Sequence, residues 1–172
     1  MLKRPADPAD DGAAAPRQVP MRDFSRSLPM SLLRAREAVM RQFRPSLRAH
    51  GLTEQQWRIL RALAAIDAVE VTELARTAFL LGPSLSRILR DLDARNLIER
   101  KTAKADQRRS MVSISEKGVK LMASVAPSSE AIYAEITRRF GARKLAELQE
   151  MLGQLELCLA SSDAGDEITD NM

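Results

Sequence analysis

Residues 82–115 read GPSLSRILRDLDARNLIERKTAKADQRRSMVSIS, and this stretch decides the fold. Pro83 suits the first positions of a helix, where its missing N–H costs nothing. Leu85, Ile88, Leu89 and Leu92 follow at i, i+3, i+4 and i+7 and make one apolar helix face. With roughly 3.6 residues per turn, Arg87, Arg90 and Ala94 point the opposite way, with Ser86 beside them and Ser84 in the first turn. A short helix with arginines and small hydroxyls outward, on a leucine back, fits a DNA major groove. Bidentate arginine contacts to guanine and serine contacts to bases or phosphate are the chemistry available there.

Two short strands are expected next, over 97–103 and 110–115, with Val112 and Ile114 on one face. Between them lies a polar tip, Lys104-Ala105-Asp106-Gln107-Arg108-Arg109. From Gly82 to Ser110 eight Lys/Arg, Lys101 among them, face four Asp/Glu. That local excess of four equals the formal net charge of the whole chain, +4. The basic charge is therefore concentrated where a groove reader needs it. A solvated helix and an ordinary hairpin would show similar charge. The order of short helix, arginine-faced helix and basic hairpin favours nucleic acid.

At 172 residues the chain suits one domain with tails. The single cysteine, Cys158, excludes an internal disulfide framework and suits a reducing compartment. Residues 1–30 hold no apolar signal-peptide core, and no run is apolar enough to span a membrane. A cytoplasmic bacterial protein is expected, with no membrane partner and no cofactor.

Residues 1–29 carry Pro5, Pro8, Pro16, Pro20 and Pro29 among Ala, Asp and Gly, and are expected to form a disordered arm. Ser31 is expected to cap a helix to about His50, with Leu32, Val39, Met40, Phe43 and Leu47 on one stripe and Pro45 as a kink or interruption. Arg36 falls on that stripe, so it needs an anion: a carboxylate of this or a neighbouring chain, or an acidic small molecule. Gly51 ends this helix, and Thr53-Glu54-Gln55-Gln56 fits a capping box opening the next. Trp57, Leu60, Leu63 and Ala64 form its apolar side. Arg61, one turn after Trp57, either snorkels from the core or joins the indole around an aromatic ligand. His50, the only histidine, is placed for a helix-dipole contact or a ligand contact. A lone His and a distant Cys make no metal site.

A short helix over 71–79 and a tight turn over 80–83 complete a helix-turn-helix, and the hairpin makes it winged. After Ser115 a helix recurs, with Pro127 as a kink and Gly141 as a break. Leu145, Leu148, Leu152, Leu155 and Leu159 then form a strict a/d seam suited to a dimer interface. Residues 161–172 form an acidic tail. The fold class is mainly α with a small β wing: a winged helix-turn-helix over about 53–115, between dimerisation helices over about 31–50 and 116–160.

This arrangement resembles the MarR family of bacterial transcription regulators over residues 31–160. The most specific piece is Asp106-Gln107-Arg108-Arg109-Ser110-Met111-Val112-Ser113-Ile114-Ser115-Glu116-Lys117-Gly118. It is similar to the family's wing signature, an Asp-x-Arg pair leading into a strand and a Thr/Ser-x-x-Gly helix start, with Ser115 where Thr is common. Residues 33–38, 43–45, 52–59 and 83–85 are similar to the homoprotocatechuate-operon regulators within it. The resemblance implies an obligate homodimer on a pseudo-palindromic operator, with wing arginines in the minor groove and Asp106 orienting Arg108. It also implies release of double-stranded DNA by a small aromatic carboxylate, of phenolic-acid or hydroxynicotinate type. Arg36 would pair with the carboxylate, with Met40, Phe43 and Trp57 as apolar walls and His50 and Arg61 near by. A repressor of an aromatic-acid catabolic operon is the expected function, and not an enzyme. The competing readings are a redox sensor working through Cys158, although the leucine seam around that thiol argues for a buried, inert group, and a winged helix used for protein contacts.

Overall fold

The computed structural model describes residues 23–103 and 106–166, without the side chains of 102–109 and 161–166. These residues fall into two units that divide within the first helix, one ending at Glu37 and the other beginning at Ala38.

In the first unit a 3-10 turn, Phe24–Arg26, is capped by Asp23, whose carboxylate accepts from the Ser25 N–H at 2.7 Å. The first helix, α1 (Leu28–Ala49), follows at once. It starts three residues before the expected Ser31 cap, because Pro29 sits in the first turn, where no N–H is missed, and the Ser31 N–H already donates to the Ser27 carbonyl. Of the expected arm, residues 1–22 lie outside the described residues. The rest forms the 3-10 turn and the opening of α1.

The second unit begins within α1, which runs through Pro45 uninterrupted. Phe43 and Leu47, buried on either side of the proline, anchor both halves of the helix in the core and offset the lost hydrogen bond. At its end the Gly51 N–H donates to the Arg48 carbonyl and the Leu52 N–H to the Leu47 carbonyl, with Gly51 at φ 67°. This paired closure needs a left-handed residue, and it brings buried Leu52 back onto buried Leu47. Helix α2 (Glu54–Ala64) opens with the expected capping box: the Gln56 N–H donates to Thr53 Oγ1, and the Thr53 N–H to Gln56 Oε1.

The chain then forms a short strand β1 (Val69–Glu70), helix α3 (Val71–Thr77), helix α4 (Gly82–Ala94), and strands β2 (Ile98–Ala103) and β3 (Asp106–Ile114). The expected turn over 80–83 sits slightly earlier, since α4 already starts at Gly82 with Pro83 in its first turn. The wing also differs from expectation. β3 takes up Asp106 to Arg109, which the sequence assigns to the tip, and three extra residues enter where the register shifts between Thr102 and Ala103. β1 adds a third strand, pairing Val69 with Val112, in the order β1-β3-β2.

Helix α5 (Glu116–Phe140) runs unbroken past Pro127, and Gly141, at φ 95°, separates it from α6 (Ala142–Asp166). α6 continues into the stretch expected to be a tail. The core joins Ile59, Leu60 and Leu63 of α2, Leu74 of α3, Leu85, Leu89 and Leu92 of α4, Val112 of β3 and Val125 of α5, none more than 1% exposed. Each such side chain contributes roughly 1.5–3 kcal/mol by leaving water. No helix among the described residues is long and apolar enough to cross a membrane.

Candidate functional site

The back of α4 is buried as its spacing requires: Leu85, Ile88, Leu89 and Leu92 are all core residues. Its front is exposed at Ser86, Arg87 and Arg90, and Ser84 is half-buried in the first turn. Arg90 lies back along its own helix, its Nε 3.4 Å from the Ser86 carbonyl. That contact is weak and leaves the guanidinium available. The N-terminal half of α4 is thus a rigid platform carrying hydroxyls and guanidinium groups.

The far end of α4 is tied to the wing. After Ala94 the Asn96 N–H donates to the Asp93 carbonyl and the Leu97 N–H to the Leu92 carbonyl, with Asn96 at φ 56°. The Ser115 N–H donates to the Leu97 carbonyl at 3.1 Å, and Ser115 Oγ donates to the Asn96 carbonyl at 2.7 Å. The same Oγ accepts the Gly118 N–H at 3.0 Å and so caps α5. The Lys117 ammonium adds a bond to the Arg95 carbonyl. Gly118 packs so closely that a Cβ there would stand 2.2 Å from the Leu97 carbonyl oxygen. Both feet of the hairpin are therefore clamped at one point, which fixes the wing relative to α4. On β2, Lys101 is exposed and lies 3.6 Å from Glu99. Lys104 and the side chains of Asp106, Arg108 and Arg109 lie outside the described residues, so the arrangement expected for the wing arginines does too.

A second feature is a cleft of about 420 Å³ between α2 and α5, lined among others by Trp57, Arg61, Met122, Ser129 and Glu130. Trp57 is buried, whereas Arg61 is exposed and its Nη1 lies 3.5 Å from the Tyr133 hydroxyl. Tyr133 in turn stacks edge-on against Phe43, ring centroids 5.1 Å apart. The structure so brings together Trp57, Arg61 and Phe43 of the expected set, with Met40 packed against the same core. Tyr133 is a member that helical periodicity did not single out. His50 is set elsewhere, its Nδ1 on the Ser46 carbonyl at 2.8 Å, which is the helix-end contact.

Arg36 finds one of its expected anions, a carboxylate of its own chain, but without the burial its stripe implies. It is not buried on an apolar stripe: its side chain is 43% exposed and pairs with neighbouring Glu37 at 3.3 Å. On a single chain the stripe around it is open as well, with Leu32, Leu33 and Val39 exposed. Cys158 is exposed rather than buried, because the seam of α6 stands open too. Farther along α5, hydrogen bonds from Arg138 and then Arg139 hold the Glu135 carboxyl down to about 2. Among the described residues no group of three or more His, Cys, Asp or Glu could hold a metal ion.

Comparison with known proteins agrees with this geometry. The MarR family model matches residues 50–109, the helix-turn-helix and the start of the wing. The homoprotocatechuate degradative operon repressor of Escherichia coli is 37% identical over 145 residues, covering 84% of this chain and 97% of that protein. Among solved structures, the transcriptional regulator PA4135 superposes with a TM-score of 0.73 at 45% identity, over 76% of this chain and 96% of the other. NadR in complex with 4-hydroxyphenylacetate superposes with a TM-score of 0.69 at 35% identity, over 80% and 97%. With its arginine-faced helix, clamped wing and near full-length likeness to these regulators, the chain belongs to the MarR family of transcription regulators.

Proposed function

We propose that the protein is a homodimeric repressor that reads a pseudo-palindromic operator and lets go of it when a small aromatic carboxylate binds. The observation that carries the reading is α4: a leucine face wholly in the core, opposite an exposed face of Ser86, Arg87 and Arg90. Two such helices, one per subunit, enter successive major grooves about 34 Å apart. Lys101, Lys104, Arg108 and Arg109 of the wing add phosphate and minor-groove contacts, with Asp106 orienting Arg108. A second copy of the chain covers the apolar residues that α6 exposes, Leu148, Met151, Leu152, Leu157 and Leu159.

The effector lies in the cleft between α2 and α5. Arg61, held beside the Tyr133 hydroxyl, takes the carboxylate, Trp57 forms an apolar wall with Met122, and Ser129 and Glu130 offer partners for a ring hydroxyl. NadR, the relative solved with 4-hydroxyphenylacetate, makes a phenolic acid the ligand class to try first. Arg36, paired with Glu37 and not part of that cleft, is the second cation to test against the acid. The likeness to the homoprotocatechuate operon repressor supports repression of an aromatic-acid catabolic operon. The ligand acts only by binding more tightly to the state that does not fit DNA. Coupling of this kind is usually about 1–3 kcal/mol, and DNA must weaken the ligand by the same factor.

Selection of duplexes from a random-sequence pool tests the reading. A palindromic sequence should emerge, bound with an affinity that falls steeply with salt as phosphate counterions are released. A pool that stays unenriched would dismiss it.

A further inference from the structure

The turn between α3 and α4 presents two large apolar side chains to solvent, Phe79 at 78% and Leu81 at 80% exposure. Their neighbours do the reverse: Ala78 is fully buried and Leu80 packs against the core. The turn is firmly held. The Phe79 N–H donates to the Arg76 carbonyl and the Leu80 N–H to the Ala75 carbonyl, each at 3.0 Å. The Arg58 guanidinium donates to the Ala78 carbonyl at 2.9 Å. Phe79 adopts φ 50°, in the left-handed region. Two other helix ends close in the same way, and there the left-handed residues are Gly51 and Asn96. Those types take the conformation at little cost, whereas a bulky aromatic is strained by it. Phe79 is thus strained and buries almost nothing, so neither backbone nor core stability accounts for it. A local outlier of this sort points to function.

Its position supplies one. Phe79 and Leu81 directly precede the first turn of α4, and the N-terminal residues of a recognition helix are those that meet base edges. On those edges the C5 methyl of thymine is the apolar group, and a side chain such as Phe reads it by contact. We propose that Phe79 and Leu81 form an apolar edge that reads a thymine methyl in the major groove beside the start of α4. The edge directly precedes the helix that exposes Ser86, Arg87 and Arg90, and adds a thymine to the guanines that arginines favour. This rests on the DNA-binding reading above.

The test starts from a duplex selected by the wild-type protein. Failure to enrich any sequence defeats the DNA reading and this proposal with it. With the selected duplex, each thymine is replaced in turn by deoxyuridine, which lacks only the methyl, and affinity is measured by fluorescence anisotropy. Wild type, Phe79→Asn and Leu81→Ala are compared. Asn suits the left-handed turn, so Phe79→Asn should melt no lower than wild type. Leu81 has ordinary extended dihedrals, φ −70° and ψ 143°, so Leu81→Ala reports without any backbone effect. At one thymine per half-site, wild-type affinity should fall about fourfold per methyl removed, the scale of one buried methylene. The variants should be indifferent to that replacement. Equal sensitivity in all three proteins overturns the proposal. So does a uniform loss over every duplex, which marks a backbone contact, or dissociation of the dimer in the variants, which marks a subunit contact.

Discussion

Gly118→Ala separates two physical effects of opposite sign. Gly118 stands in the first turn of α5, where alanine is the better helix former by about 1 kcal/mol. Propensity alone therefore predicts a more stable protein. Packing predicts the reverse. A Cβ at 118 would stand 2.2 Å from the Leu97 carbonyl oxygen and 2.7 Å from Ile114 Cγ1, and the first of these is backbone. The carbonyl has to retreat by roughly 1 Å, and overpacking of this kind costs ~1–3 kcal/mol. Its retreat also pulls it from the Ser115 N–H, now at 3.1 Å, leaving groups unsatisfied at a cost of ~1–3 kcal/mol. With the helix gain subtracted, the net loss is about 3 kcal/mol. For a domain of this size each kcal/mol moves Tm by ~2–4 °C, so Tm should fall by ~6–12 °C. The assay is thermal unfolding followed by circular dichroism, at one protein concentration because a dimer's Tm depends on it. A Tm equal to or above wild type would refute the clamp between the reading helix and the wing.

Four further outcomes follow. Arg90→Ala should relax sequence preference at one position by ~1–3 kcal/mol in a binding series over single-base variants, and an equal loss on every sequence would make Arg90 a phosphate contact. Arg108→Ala should abolish operator binding in a mobility-shift assay while sedimentation still shows a dimer; retained affinity would refute the wing assignment. Arg61→Ala should leave DNA binding intact and remove release by 4-hydroxyphenylacetate, with Arg36→Ala as the parallel test of the second cation. An unchanged response in either variant takes that arginine out of the site. Finally, the Glu135 carboxyl, lowered from 4.5 to about 2 by Arg138 and Arg139, should titrate near pH 2 by carboxyl-carbon NMR. Since its folded pKa is depressed, its contribution to stability is present above about pH 4.5 and is lost as pH falls through about 2.

The parts of the fold set by local chemistry could be read directly. The leucine face of α4, the capping box at Thr53 and the glycine closing α1 each announce themselves within a few residues. What escaped the sequence depends on partners far along the chain. β1 has only two residues, too few for any period, and exists because Val69 finds Val112. Tyr133 reaches Arg61 from 72 positions away, and no spacing on either helix signals that contact. Ser31 resembles a cap, but Pro29 lets α1 begin three residues earlier, at Leu28. A proline's lost hydrogen bond implies a kink or an interruption at 45, but α1 runs on because Phe43 and Leu47 anchor it on either side. An apolar stripe marks a face that can be covered and does not itself bury Arg36 or Cys158, which are exposed. On one chain those stripes are open, and a second subunit is what would cover them.

The measurement closest to the central claim is a titration of 4-hydroxyphenylacetate and related aromatic acids into the protein bound to its selected, fluorescently labelled duplex, at constant salt and pH. At least one such acid should lower duplex affinity by about 5–150-fold, the range of ~1–3 kcal/mol of coupling, and the duplex should weaken binding of that acid by the same factor. Affinity for the duplex that stays unchanged at saturating acid, with the acid bound, would contradict it.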